Sequence, residues 1–129
     1  MDRSPHIPAD RQVVQAYQAG GFKVSGTVFE GSIIVLPEEV RPWSVQTPGD
    51  LAAELFAGLR ESGVDILVVG LGPDFLPFPA ELRRTLREWG MVVEAMATPA
   101  ACRTYNVLLA EDRRVAAALI AMPGARTAG

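Results

Sequence analysis

Two apolar runs in the second half of the chain end beside residues able to bind or react. Gly70-Leu71-Gly72 follows the run Asp65–Val69, and Thr98-Pro99 follows Met91–Ala95. In an open α/β sheet, ligands lie outside the carboxyl ends of the parallel strands. A helix opening at Thr98 with Pro at its first position would place unpaired N–H groups and partial positive charge there. Cys102, Arg103 and Asn106 follow in its early turns. Gly70, Gly72, Thr98, Cys102, Arg103 and Asn106 therefore define a candidate crevice for a small molecule or anion. The competing reading is structural. In it Arg103 pairs with Glu94 or Glu81, Cys102 is small apolar filler, and Asn106 is a buried hydrogen-bonder.

Most other chemistry is excluded by scarcity. The glycine loop lacks the third glycine and direct helix entry of a dinucleotide turn, and Gly-Lys-Ser/Thr is absent. Cys102 beside Arg103 near a helix start would have a lowered pKa, but a nucleophile also needs a base. The one histidine is His6 and the one cysteine is Cys102. Neither a Ser-His-Asp set nor a His/Cys metal site can be built from that supply. We expect no catalytic residue, no metal and no cofactor. Trp43, Phe75 and Phe78 stand in segments read as loops and form a candidate partner surface. For Trp43 the alternative is a hydrophobic plug at a sheet edge.

Composition agrees with this restraint. The 129 residues are 49% hydrophobic and 21% charged, which places them in one globular domain. We read a single domain over residues 1–129 with an ordered core of Val13–Ala121. Net charge is −3, so no basic footprint attracts nucleic acid or acidic lipid. Of the 12 basic residues all but Lys23 are arginine, which is genome composition or a means of gripping carboxylates. Met1–Asp10 is polar with two prolines and has no signal-peptide core. No apolar run approaches the roughly 20 residues of a membrane-spanning helix. The expectation is a cytoplasmic protein whose tail, Pro123–Gly129, frays.

The elements that must position these residues follow from periodicity. Val13–Tyr17, Phe22–Val24, Thr27–Phe29 and Ser32–Leu36 read as short strands, with Glu30-Gly31 as a tight hairpin turn. Pro37 ends the fourth, and Glu38–Gln46 reads as a structured loop. Thr47-Pro48 starts a helix with a stripe of Leu51, Leu55 and Leu59, closed by Gly63. Asp65–Val69 is a strand covered on both faces. A helix from Pro79 buries Leu82, Leu86 and Trp89 and stops at Gly90. Met91–Ala95 is the next strand, followed by the Thr98 helix, which buries Ala101, Tyr105, Leu108 and Leu109. Arg114–Ile120 is the last strand. The fold class is therefore α/β: a single three-layer domain. Its mixed sheet carries an N-terminal antiparallel hairpin region, followed by alternating helices and strands.

The later segments also resemble a known family. They are Gly90-Met91-Val92-Val93-Glu94, Met96-Ala97-Thr98, Ala100-Ala101-Cys102-Arg103-Thr104-Tyr105-Asn106-Val107-Leu108 and Val115-Ala116-Ala117-Ala118-Leu119. Upstream, Phe29-Glu30-Gly31-Ser32, Val40-Arg41-Pro42-Trp43, Gly70-Leu71-Gly72 and Glu81-Leu82-Arg83 continue the likeness. The family is a small, uncharacterised α/β domain. It includes assembly factor three of mitochondrial respiratory complex I, an adipogenesis-associated animal protein and many bacterial hypothetical proteins. The resemblance implies the same three-layer fold, no established catalytic residue, and a protein-binding or assembly role with an unidentified partner. The first ten residues do not look like a mitochondrial presequence. Oligomeric state stays open.

Overall fold

Glycine sets the first turns. Ser25 and Gly26 both take positive φ, 45° and 88°, which is what a two-residue hairpin turn requires. That turn joins β2 (Gly21–Val24) to β3 (Thr27–Glu30), with Val24 opposite Thr27. β1 (Val14–Gln18) pairs antiparallel on the other side of β2. Glu30-Gly31 is not a hairpin turn, contrary to the expectation. The Gly31 N–H donates to the Gly20 carbonyl at 2.7 Å, and the chain leaves for a different sheet. The computed structural model describes residues 11–123. His6, the polar segment Met1–Asp10 and residues 124–129 of the tail lie outside the described residues.

The second sheet is mixed. β4 (Ile33–Val35) pairs antiparallel with β5 (Val40–Pro42) on one side and with β8 (Val115–Leu119) on the other. β8 runs parallel to β6 (Ile66–Gly70), and β6 parallel to β7 (Val92–Met96). The order is β5-β4-β8-β6-β7, beside the separate sheet β1-β2-β3. β5 falls within the segment expected to be a loop. Helix α1 (Ala80–Glu88) connects β6 to β7, and α2 (Thr98–Ala110) connects β7 to β8.

Three layers result from alternation along these strands. Ile34, Leu67, Val69, Val93, Ala116 and Ala118 face one core, which is closed by α1 and by Trp43 and Phe56. Ile33, Val35, Val68, Ala117 and Leu119 face the other, closed by Tyr105 and Leu109 of α2 and by Val14, Phe22 and Val24 of the small sheet. β8 is buried at every position. Its alanines let both outer layers approach closely.

The segment after Thr47 is not the expected amphipathic α-helix. It forms a 3-10 turn at Pro48–Asp50 and a 3-10 helix at Ala53–Leu59. Side chains from the β5 region hydrogen-bond to carbonyls of this segment. Trp43 Nε1 donates to the Leu55 carbonyl at 2.9 Å, and Arg41 to the Gly58 carbonyl at 3.2 Å. Leu59 and Phe56 still reach the core, so the apolar stripe keeps its purpose with tighter winding.

Gly70 ends β6 against α2. A Cβ there would lie 2.8 Å from Thr98 Oγ1 and 2.9 Å from Thr98 Cα. Backbone cannot yield as a flexible side chain does. Gly70→Ala should therefore destabilise by about 1–3 kcal/mol through overpacking, read as a lower urea midpoint at unchanged slope.

Candidate functional site

β6 and β7 are parallel neighbours whose exits lead to opposite faces of the sheet, α1 on one and α2 on the other. Such a switch point is where open α/β sheets leave a crevice. Here it is closed. The Leu71 N–H donates to the Met96 carbonyl at 2.8 Å, and the Thr98 N–H to the Gly72 carbonyl at 2.7 Å. Thr98 Oγ1 accepts from the Gly72 N–H at 2.9 Å and donates to the Ile120 carbonyl at 2.7 Å. The Ile120 N–H returns to the Gly70 carbonyl at 2.9 Å. Thr98 is fully buried, and Gly72 sits at φ 95°, so its N–H can turn toward the hydroxyl. Thr98 is also not the N-cap. Ala97 holds that place without a side-chain bond, and Thr98 is the first helical residue.

Gly70, Gly72 and Thr98 are thus brought together with the space between them filled by their own hydrogen bonds. Cys102, Arg103 and Asn106 gather elsewhere, in an open groove of about 350 Å³ between α2 and residues 14–17 of β1. Burial pushes the Cys102 thiol up to about 12, and Arg103 beside it offsets this only in part. Cys102 is therefore a neutral thiol at physiological pH, not a poised nucleophile. Asn106 accepts from the Val14 N–H at 3.0 Å and donates to the Val14 carbonyl at 2.7 Å. Tyr105 donates its hydroxyl to the Gln12 carbonyl at 2.9 Å, and burial raises its pKa too. Arg103 is exposed. Among the described residues the ion pairs are Arg41–Glu39 and Arg114–Asp65, so neither Glu94 nor Glu81 holds Arg103.

The aromatic set also divides. Trp43 is buried and packs on Phe56 with ring centroids 5.4 Å apart. Phe78 is buried beneath the Arg83 guanidinium, 5.4 Å from its ring. Phe75 alone of the three is presented to solvent, at 70% exposure, beside Leu76 at 41%.

A larger cavity, about 530 Å³, opens near the amino ends of β6 and β8. Sequence reasoning passed over it; the Arg113-Arg114 pair ahead of the last strand was the available signal. Arg41 there grips Glu39 through Nε at 3.0 Å and a second guanidinium nitrogen at 3.1 Å. That grip holds the Glu39 carboxyl below its usual range. Arg114 lies 3.9 Å from Asp65. Among the described residues no group of three His, Cys, Asp or Glu is placed to hold a metal. Nor is any of their helices long and apolar enough to cross a membrane.

The layers and the closed switch point define an α/β domain whose usual ligand position is occupied by its own main chain. A family model described as protein of unknown function, DUF498/DUF598, matches residues 14–120, and the chain belongs to that family. It is 41% identical to an uncharacterised protein of Rhodobacter capsulatus over 113 residues, 87% of this chain and 86% of that one. It is 35% identical over 113 residues to NADH dehydrogenase [ubiquinone] 1 alpha subcomplex assembly factor 3 of Danio rerio. That match takes in 86% of this chain but only 65% of the longer relative. The solution structure of a Mth938-like domain from Bordetella pertussis superposes with a TM-score of 0.81 at 32% identity, covering 97% of this chain and 95% of that one.

Two outcomes follow from the site. Thr98→Val keeps the shape but orphans the Gly72 N–H and the Ile120 carbonyl, each at about 1–3 kcal/mol. Thr98→Ser should restore most of the loss in chemical denaturation. Cys102 should resist iodoacetamide in the native protein at pH 8 and react once denatured. Above about pH 9 the unfolded thiol ionises while the folded one holds its proton until about 12. Stability should therefore fall as pH rises through that window, and less steeply in Cys102→Ala.

Proposed function

We propose that the protein is a non-enzymatic interaction module of the assembly-factor kind, acting on a protein partner in the cytoplasm. The observation that carries this reading is the likeness to NADH dehydrogenase assembly factor 3 across nearly the whole described domain. The site supports it from the other direction. The switch point is filled, Cys102 is a buried neutral thiol, and the polar groups of Thr98, Tyr105 and Asn106 are spent on backbone. What the fold leaves available is surface. Phe75 and Leu76, on the loop between β6 and α1, expose adjacent apolar side chains that a partner would cover. The net charge of −3 favours a protein over a nucleic acid as that partner.

A second reading, an anion or small-molecule binder, has one observation behind it: Arg103 is exposed and free of any described acidic partner. It would act in the groove beside β1 and not between Gly70 and Thr98. A thermal shift with an anionic metabolite, lost in Arg103→Ala, would favour it.

The interaction reading is tested by purifying the protein at native levels with its companions. We expect a stoichiometric partner with the wild type and its loss in Phe75→Ser. Stability should stay within about 0.5 kcal/mol, as for exposed positions in general. Absence of any stoichiometric partner would overturn the reading.

A further inference from the structure

The outer edge of β1 is tied down at both ends and open between them. At its start, the Asn106 carboxamide takes the Val14 N–H and gives its own N–H to the Val14 carbonyl. One acceptor and one donor offered to an edge residue is what a neighbouring strand supplies. At its far end, Ala19 bridges to Met122 and the Gly20 N–H donates to the Met122 carbonyl at 3.0 Å. Between these ties, residues 15–18 are exposed and have no strand neighbour on that side among the described residues. A bulge falls between Val14 and Ala16, and the Gln15 side chain is drawn off to the Gly26 N–H at 2.6 Å.

Helix α2 runs beside this edge. Pro99, Cys102, Arg103 and Asn106 line the groove with the i, i+3, i+4, i+7 spacing of one helix face. An edge strand separated from a helix by an open groove is the arrangement in which an extended peptide adds as a further strand. The edge offers main-chain hydrogen bonds, and the helix face offers contacts that select side chains. Among the described residues, Arg103 is the only charged one lining the groove.

We propose that this groove binds an extended peptide segment of a partner protein, which pairs with β1 between the Asn106 tie and the Ala19–Met122 bridge and sets a carboxylate against Arg103. The inference rests on the interaction reading and gives it a second surface besides Phe75. The open stretch of four residues is about 13 Å long at ~3.3 Å per residue, so the docked segment is short. A second copy of this chain fits poorly. Edge-to-edge pairing would bring two Arg103 side chains into one seam, with no acid among the described lining residues to separate them.

The test selects phage-displayed random heptapeptides on the wild type and on Arg103→Glu. Selected synthetic peptides are then mapped by amide shifts of the labelled protein. We expect Asp or Glu at one fixed position, shifts concentrated in residues 14–18 and 99–106, and binding weaker by about tenfold or more in Arg103→Glu, the scale of one charge-assisted bond. Unperturbed amides elsewhere in Arg103→Glu will certify its fold. Selection without acidic preference, shifts mapping to another face, or concentration-dependent dimerisation through β1 would each overturn the groove. A stoichiometric partner retained by Arg103→Glu would also overturn it while leaving the interaction reading intact.

Discussion

One hydroxyl closes the carboxyl end of the parallel strands. Thr98 Oγ1 receives the Gly72 N–H and gives its proton to Ile120, so residues just past β6 and β8 meet on the first residue of α2. The approach is possible because Gly70 has no side chain to hold Thr98 away. Both bonds are buried, where an unpaired donor or acceptor costs the full desolvation of that group. The arrangement is therefore self-enforcing: opening the gap for a ligand would orphan polar groups that nothing else in the core could satisfy.

The position of α2 then decides the position of the small sheet. β1, β2 and β3 make no strand pairing with the mixed sheet apart from the isolated Ala19–Met122 bridge. Besides the Gln12 N–H to Pro37 and Gly20 N–H to Met122 bonds, they attach through α2: Tyr105 to the Gln12 carbonyl, Asn106 to both main-chain groups of Val14, and Val14, Phe22 and Val24 in the same apolar cluster as the helix. A shift of α2 would move the hairpin region with it. At the groove itself, β1 is held to α2 where Asn106 bonds both main-chain groups of Val14.

Much of this was legible in the residues. Apolar runs of strand length and stripes of helical spacing located β6, α1, β7, α2 and β8 to within a residue or two. Those segments are ruled by burial, and burial leaves a period. What failed was ruled by single hydrogen bonds. The Leu51, Leu55, Leu59 stripe is genuine, but its segment winds as a 3-10 helix whose carbonyls receive the indole of Trp43 and the guanidinium of Arg41. Gly31 was readable as a turn glycine, but not the partner of its N–H. Thr98-Pro99 was readable as a helix start. Whether the threonine hydroxyl caps the helix from outside or turns inward to another strand depends on a Gly72 loop distant in sequence. Hence Gly70, Gly72 and Thr98 meet at the closed strand ends, while Cys102, Arg103 and Asn106 of the same helix line the groove beside β1.

The concavity at the amino ends of β6 and β8 and the groove beside β1 differ in what they offer a ligand. The cavity at the amino ends of β6 and β8 is the larger and carries the more arginine. Its Arg41 is already bound to Glu39 through two nitrogens and to the Gly58 carbonyl, and Arg114 lies near Asp65. An anion at Arg41 would have to displace Glu39, a carboxylate of the same wall, whereas Arg11 and Arg113 line that cavity without a described ion-pair partner. The groove beside β1 is smaller, but Arg103, the one charge among its described lining residues, has no described partner and its strand edge has no described neighbour. Capacity for recognition follows from unsatisfied chemistry rather than from volume. What sets the smaller concavity apart is that its charge stands beside a strand edge with no described neighbour, so main-chain and side-chain recognition are on offer together there.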